Sequence, residues 1–332
     1  MISLRRLYQS PKSAKVVELV RNGKKLVTPT YFPAVSGAKL SLPVRQLVEF
    51  LVERSYPRIL VSSYDLFKMN ARDREELGRE LADYSRSGLL VFLDSGIFES
   101  FWRGDSTWDF EGYKTIVTRV ASDFYTSFDV LPEPSQSESQ FVASTEQRIL
   151  LSESVSRSSE YIPIVHGTKP YQMISTVKAI LNSHPSISRM IAVSERDCGV
   201  SLSERARTVL ELRKILDESC ETVILHVLGC GNPLSVALYA YCGADTFDSL
   251  DWAQVAIDRD ELRTYDYAYH ELSTCQCVAC SRPSQDPIKS ILLHNLLFYQ
   301  DFMLKIQSMI RRNTLKDFLL QYLGPNLMKK LA

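Results

Sequence analysis

Three cysteines and one histidine near the C-terminal end of the chain have the residue types and spacing of a metal-binding set. Cys275, Cys277 and Cys280 follow the pattern C-x-C-x-x-C, and His294 comes 14 residues after the last of them. Three thiolates and one imidazole suit a tetrahedral zinc ion, and four protein ligands leave no open position for chemistry. We therefore predict one structural zinc per chain. The alternative is three unrelated thiols, one of them redox-active.

Carboxylates end three of the apolar stretches that are typical of buried strands. They are Asp94, Asp129 and Asp248. Burying a carboxylate without a partner is costly, although a single one often serves as a helix N-cap. Three carboxylates at strand ends that converge on one opening of the fold indicate a functional site. Two of them suffice for glycosidic-bond chemistry, one as the nucleophile and the other as the proton carrier.

The elements that must position these residues alternate along the chain. The predicted strands lie at residues 25–33, 58–62, 89–94, 123–129, 162–166, 190–194, 222–228 and 245–248. The helical segments between them include 42–54, 71–85, 147–157, 171–182, 203–217 and 233–241. This alternation predicts an α/β fold, a (β/α)8 TIM barrel with its chemistry at the C-terminal strand ends. A doubly wound sheet is the alternative, but no Gly-x-Gly-x-x-Gly turn follows the first strand.

The remaining segments suggest a division into two regions. We predict a barrel catalytic core at residues 1–260, and a zinc-binding and helical region at 261–332 that packs on the barrel. Helical periodicity runs from residue 287 to about 312 and again over 315–323. The basic residues there either line a solvated helix face or contact nucleic acid. Residues 132–160, rich in Ser, Glu and Pro, predict a solvated loop followed by a surface helix.

Composition narrows the classes of function. The 332 residues are 45% hydrophobic and carry a formal net charge of zero, so binding to nucleic acid would need a local basic face. The sequence lacks the ~18-residue apolar run that a membrane span needs, and its N-terminus lacks an apolar signal core. Seven cysteines suit a reducing compartment better than a disulfide scaffold. We therefore expect a cytoplasmic protein without a membrane partner.

Several motifs together resemble the tRNA-guanine transglycosylase superfamily, from about residue 27 to residue 309. They are Asp-Ser-Gly-x-Phe at 94–98, Gly-Ala-Asp-Thr-Phe-Asp-Ser at 243–249, Thr-Pro-x-x-x-Pro at 28–33, and the three cysteines with His-Asn-Leu at 294–296. The stretches 225–233 and 247–249 resemble the archaeosine-type branch most closely. The resemblance implies a barrel that exchanges guanine in a polynucleotide for a free 7-deazaguanine base without cutting the backbone.

The resemblance also implies residue roles. Asp248 would be the nucleophile on C1′ and Asp94 the general acid/base, whereas Asp245 is expected to be a structural cap. The implied base-binding residues are Phe98 and Leu228 on the two faces of the purine, with Asp129, His166, Gly229 and Ser95 around it. His166 stands where the family usually has Gln, which changes both the hydrogen-bond geometry and the titration of that position.

Three departures from the tRNA enzymes favour DNA as the polynucleotide. Leu-Asp-Trp-Ala at 250–253 replaces the Leu-Pro-Thr-Arg run of bacterial queuosine-pathway enzymes, and the spacing from Cys280 to His294 is shorter. The sequence also ends at residue 332, without the C-terminal RNA-binding domains of the archaeal enzymes. The chain thus looks like the DNA 7-deazaguanine transglycosylases (DpdA), which insert a base such as preQ0. The same exchange on tRNA is the alternative.

The sequence is also compatible with other partners and with two other functions. The resemblance is compatible with a homodimer or with partner proteins from a modification gene cluster. A non-catalytic partner subunit is a rival function, although the presence of both Asp94 and Asp248 argues against it. An unrelated glycoside hydrolase on the same barrel is a second rival, which would release sugar and incorporate no base.

Overall fold

The computed structural model describes residues 2–10, 13–37, 42–129, 131, 135–153, 155, 159–183, 189–218 and 222–331. The strands are β1 Ser3–Gln9, β2 Lys15–Arg21, β3 Lys24–Val27, β4 Thr30–Val35, β5 Arg58–Ser62, β6 Leu90–Asp94, β7 Phe124–Thr126, β8 Glu160–Ile162, β9 Ile164–Val165, β10 Met190–Ser194, β11 Ile224–Leu228, β12 Thr246–Ser249, β13 Ala256–Ile257 and β14 Thr264–Tyr265. The helices are α1 Val44–Glu53, α2 Ser63–Lys68, α3 Ala71–Arg86, α4 Ile97–Trp102, α5 Phe110–Arg119, α6 Glu138–Glu153, α7 Pro170–Ser183, α8 Leu202–Glu218, α9 Pro233–Cys242, α10 Val278–Ser281, α11 Pro287–Arg311 and α12 Leu315–Lys329.

Strands β4 to β12 form a parallel barrel. Their order in the sheet is β8-β7-β6-β5-β4-β12-β11-β10-β9. Only Pro163 separates β8 from β9, and these two strands pair with β7 and β10 respectively, so together they fill one position and close the barrel. These strands are largely buried, and along the chain they alternate with helices that cover the outside of the barrel. The predicted α/β TIM barrel is therefore confirmed.

The N-terminal residues differ from the prediction, which assigned residues 25–33 to one barrel strand. Residues Lys24–Val27 instead pair with β2 in an antiparallel sheet, β1-β2-β3, and the first barrel strand is β4. Pro29 lies between the two strands and has no N–H to donate to a ladder, which favours a break there. The sheet covers the N-terminal end of the barrel, where Val17 and Leu19 pack with the interior rings Phe32 and Phe92.

The long predicted helices are present, with one shifted. Residues 147–153 of the segment predicted at 147–157 belong to α6, which begins much earlier, at Glu138. Residues 154 and 156–157 lie outside the described residues. The earlier start follows from local hydrogen bonding, since the Ser137 hydroxyl accepts from the Gln140 N–H (3.3 Å), in the manner of an N-cap.

The long helix α11 connects the C-terminal part of the chain to the barrel. Asp286 caps its first turn by accepting from the Ile288 N–H (3.0 Å), and Pro287 occupies the first helical position. Near the other end, the Gln307 amide donates to the carbonyls of Val27 and Pro29 (3.0 Å each). None of the helices in the described part of the chain combines the length and apolar content that crossing a membrane requires.

Candidate active site and metal-binding cluster

A cavity of about 450 Å³ lies at the C-terminal ends of the barrel strands. This volume is within the usual range of small-molecule sites. Every residue that the sequence analysis named for catalysis or base binding lines it: Asp94, Ser95, Phe98, Asp129, His166, Leu228, Gly229 and Asp248. These residues lie at or just after the ends of different strands, far apart in sequence.

Asp94 is the last residue of β6 and is positioned by the turn that follows it. The Gly96 N–H donates to Asp94 Oδ2 (3.2 Å). Gly96 has φ 75°, and a Cβ there would lie 2.5 Å from the backbone nitrogen of Tyr64, so the turn requires glycine. Burial raises the pKa of Asp94 well above its usual value, with further increases from the nearby charges of Glu99, Asp129 and Asp248. Asp94 therefore takes up a proton more readily than an exposed aspartate.

Asp248, on β12, is oriented by two donors. Its Oδ1 atom accepts from His226 Nε2 (3.1 Å) and from the Gly229 N–H (3.2 Å). Gly229 has φ 72°, a left-handed conformation that aims this N–H and favours glycine. His226 Nδ1 lies 2.8 Å from the Thr246 hydroxyl, which can donate to it while Nε2–H donates to the carboxylate.

The sequence analysis quoted His226 within a motif but gave it no role. The available signal was the alternation along β11, where Ile224 and Leu228 belong to the barrel interior while Leu225 and Val227 pack outside. His226 is two residues from both Ile224 and Leu228, so its side chain also points into the barrel, where it is fully buried. The inward direction of His226 thus follows from the alternation along β11, whereas its contact with Asp248 depends on the pairing of β11 with β12.

Asp129, His166 and Asp197 form a continuous hydrogen-bonded row in the cavity wall. His166 Nε2 lies 2.5 Å from Asp129 Oδ2, and His166 Nδ1 lies 2.7 Å from Asp197 Oδ2. Burial alone would lower the pKa of His166, but the bonds to Asp129 and Asp197 outweigh it and raise the pKa to about 10. The imidazolium donates from both nitrogens, so neither ring nitrogen is available to another partner.

One atom of this row is left without a partner. Asp129 Oδ1 is buried and has no hydrogen-bond partner within the described part of the chain. Because an unpaired buried carboxylate oxygen is costly, such an atom at a cavity wall is a ready acceptor for a ligand N–H group.

The loop after β10 contributes residues that the sequence analysis missed. Glu195, Arg196 and Asp197 line the cavity, and so does Arg205 from the following helix α8. Glu195 Oε1 accepts from the Tyr239 hydroxyl (2.9 Å) and pairs with Arg205 Nη1 (3.2 Å). The signal for Glu195, Arg196 and Asp197 was their position directly after a predicted barrel strand, where side chains reach the cavity.

The predicted metal ligands converge. The ligand atoms of Cys275, Cys277, Cys280 and His294 all lie within 4.8 Å of one another. His294 Nδ1 is 3.4 Å from Cys277 Sγ and 3.3 Å from Cys280 Sγ, close to the roughly 3.5 Å expected between ligands of a tetrahedral ion. His294 Nε2 lies 2.7 Å from the Ile257 carbonyl, a bond that directs Nδ1 toward the cysteines. This Cys3His cluster can bind a metal ion.

His270 lies beside this cluster and was not predicted. Its Nε2 atom is 3.5 Å from Cys280 Sγ, and its Nδ1 atom is 2.8 Å from the Tyr265 hydroxyl. It is a neighbour of the four-ligand set rather than a member of it.

Comparisons with known proteins agree with the resemblance in the motifs. The chain matches the family model described as queuine tRNA-ribosyltransferase over residues 11–324. It is 26% identical over 284 residues to the tRNA-guanine(15) transglycosylase of Methanopyrus kandleri, an alignment that covers 81% of this chain and 59% of the relative. For the tRNA-guanine(15) transglycosylase of Pyrobaculum aerophilum, the identity is 22% over 324 residues, covering 92% and 64%. The chain thus spans less than two thirds of the length of these relatives. Because the family match extends over nearly all of its residues, the chain belongs to the queuine tRNA-ribosyltransferase family.

Proposed function

We propose that this chain is a pentosyltransferase that exchanges guanine in DNA for a 7-deazaguanine such as preQ0, through a covalent link between Asp248 and the nucleotide. The observation that carries the proposal is the pair of carboxylates, Asp94 and Asp248, that end different strands and line one cavity. Their environments differ, since burial raises the pKa of Asp94 whereas Asp248 accepts hydrogen bonds from His226 and the Gly229 N–H. Such a pair divides into a proton carrier and a nucleophile.

In the first half of the reaction, Asp248 attacks C1′ of the flipped nucleotide. A bond forms between its carboxylate oxygen and C1′ while the bond from C1′ to the guanine nitrogen breaks. Asp94 gives its proton to the departing guanine, which leaves as the neutral base. His226 and the Gly229 N–H hold the carboxylate in position without taking part in proton transfer.

In the second half, Asp94 is a carboxylate and the free 7-deazaguanine occupies the cavity. Asp94 removes the proton from the ring nitrogen of the incoming base, and that nitrogen attacks C1′. The bond to Asp248 breaks, which restores the free Asp248 carboxylate and the protonated Asp94. The backbone of the polynucleotide is never cut, and the two half-reactions predict ping-pong kinetics.

Base recognition uses the cavity walls. Phe98 and Leu228 line the cavity and offer apolar surface to the two faces of a purine. The unpaired Asp129 Oδ1 accepts from the N–H groups on the edge of guanine or 7-deazaguanine. Ser95 lies at the base of the same turn as Asp94, where its hydroxyl accepts from the Ile97 N–H (3.2 Å).

DNA is the proposed polynucleotide, and tRNA is the second candidate. DNA is supported by the Leu-Asp-Trp-Ala run at 250–253 and by the short spacing of 14 residues from Cys280 to His294. The tRNA candidate is favoured by the relatives, whose names specify tRNA-guanine(15) exchange. One protein preparation can be offered both polymers, so the choice is directly testable.

Zinc is the proposed occupant of the Cys3His cluster. Three thiolates and one imidazole are the donor set that zinc prefers, and Cys275, Cys277, Cys280 and His294 would hold it. Four protein ligands would make its contribution structural, bracing the start of α11 against the strand β13.

Incubation with labelled guanine tests the proposed function. Purified protein should incorporate labelled guanine into double-stranded DNA or release guanine from it. When a 7-deazaguanine is supplied, nucleoside mass spectrometry should find that base in the DNA. A matched reaction with tRNA decides between the two polymers. Exchange on neither polymer by a folded protein, or release of sugar without base incorporation, would contradict the proposal.

A further inference from the structure

Helix α4 ends in two exposed aromatic side chains, and an exposed arginine follows the helix. Phe101 is 62% exposed and Trp102 is 47% exposed, and Arg103 follows them. Most large aromatic side chains of this protein are buried, so two adjacent exposed rings beside the candidate active site form an unusual surface.

These rings connect to the interior of the cavity. Trp102 contacts Phe98, with ring centroids 5.8 Å apart in an edge-to-face arrangement, and Phe101 contacts Trp102 at 6.2 Å. The guanidinium of Arg196 lies 5.0 Å from the centroid of the Phe98 ring. Phe98 and Arg196 both line the cavity. Phe98, Phe101, Trp102, Arg103 and Arg196, here called the rim strip, therefore run from the cavity to the solvent.

The charge of the rim strip fits a phosphate backbone. Arg196 is exposed and has no ion pair with any of the described residues. Arg103 has a 48% exposed side chain and lies 3.6 Å from Asp65, a contact longer than a hydrogen bond that leaves about half of the side chain exposed. A row of aromatic rings with guanidinium groups beside it suits single-stranded nucleic acid, because bases stack on the rings and phosphates pair with arginine.

We propose that the rim strip binds the DNA strand next to the exchanged nucleotide, with an unpaired neighbouring base stacked on Trp102 and Phe101. The inference rests on the proposed base exchange in DNA, since it is the continuity with the cavity that places a flanking base here. A nucleotide that leaves the helical stack removes a stacking partner from its neighbours. The rim strip supplies a replacement surface beside the cavity, because Trp102 contacts the cavity-lining Phe98.

Tryptophan fluorescence can report on this contact directly. The chain has three tryptophans, and Trp108 and Trp252 are 6% and 0% exposed, so only Trp102 is in reach of a bound base. A short single-stranded DNA containing guanine should quench the emission, and Trp102→Phe should abolish the quenching while binding persists. Trp102→Ala should weaken binding of the oligonucleotide about tenfold, from the usual contribution of one stacked base.

The matched control is Leu150→Ala. Leu150 is 49% exposed on α6 and does not line the cavity, so its removal should leave the affinity for the oligonucleotide unchanged. Trp102→Ala should raise the KM for DNA without changing the KM for the free base, which separates a flanking contact from general damage to the cavity.

Several results would overturn the inference. These are binding measured by anisotropy without any quenching, an equal loss of affinity in Leu150→Ala, and quenching by RNA but not by DNA. Quenching that depends on protein concentration alone would identify a second copy of the chain as the occupant. Because the binding assay contains no incoming base, a protein that shows the predicted quenching yet exchanges no base would contradict the proposed function and not the surface.

Discussion

At the N-terminal end of the barrel, buried aspartates pair with lysine or arginine, whereas at the C-terminal end Asp94 and Asp248 line one cavity without such a partner among the described residues. Asp123, just before β7, binds Lys24 Nζ (2.7 Å), and Asp245, just before β12, binds Arg213 Nη2 (2.8 Å). Asp94 and Asp248 have no comparable lysine or arginine partner within the described residues. The same residue type is therefore ion-paired at one end and, at the other, lines the cavity where we propose that the chemistry takes place.

Two aspartates of one motif make this contrast especially clear. Asp245 and Asp248 are three residues apart, yet they lie at opposite ends of the short strand β12. Asp245 is ion-paired and accepts from the Leu225 N–H (2.8 Å), whereas Asp248 lines the cavity. Proximity in sequence therefore says little about role, because the strand carries the two side chains to different surroundings.

The largest expected effect is on chemistry at the C-terminal end. Asp248→Asn should lower the rate of base exchange by more than about a thousandfold, as loss of a covalent nucleophile usually does. Asp245→Asn is the matched control and should keep its rate per folded molecule. Labelled-guanine exchange on both variants measures this. If Asp248→Asn and Asp245→Asn both fold and lose activity equally, the proposed difference between the two ends of the barrel is refuted.

The next largest effect is on stability at the N-terminal end. Arg213→Met should lower the free energy of unfolding by about 3–5 kcal/mol, because Asp245 would be left buried without its cation. Urea denaturation measures the loss, and adding Asp245→Asn to the same chain should recover part of it. Asp248→Asn should lose far less. A greater loss in Asp248→Asn than in Arg213→Met would contradict the comparison.

A smaller effect is expected at the row of Asp129, His166 and Asp197. Asp197→Asn should raise the KM for the free base about tenfold, the usual contribution of a hydrogen bond to a charged group, with a smaller change in kcat. The raised pKa of His166 means that its imidazolium persists until the pH approaches about 10. In Asp197→Asn, the KM should begin to rise at a lower pH. A KM and pH profile identical to those of the parent would refute this role.

The smallest effect concerns Glu99, which is buried beside Asp94. Burial, with a further contribution from Asp65, raises the pKa of Glu99 to about 7. Its folded-state pKa is higher than the unfolded value, so the protein should lose stability as the pH rises from about 4.5 to about 7. Glu99→Gln should therefore raise Tm more at pH 8 than at pH 5. The reverse order in thermal scans would show that Glu99 is ionised in the fold.

Much of this architecture could be predicted, because buried strands and long helices leave periodic patterns. The strand ends at Asp94 and Asp248 and the Cys3His spacing were predicted from the sequence, and the structure brings each set together. The N-terminal antiparallel sheet was missed, since its charged, partly exposed outer strand looks like a polar leader. Asp197 was missed because its partner His166 is 31 residues away, and only the barrel geometry brings them together.

The most direct test of the central claim is the identification of the covalent intermediate. Incubating the protein with a guanine-containing DNA in the absence of an incoming base, followed by denaturation and peptide mass spectrometry, should find the nucleotide attached to Asp248. Asp248→Asn should yield no adduct. Asp94→Asn should yield little or none, because no residue then donates a proton to the departing guanine. An adduct on any other residue, or active exchange by Asp248→Asn, would contradict the account.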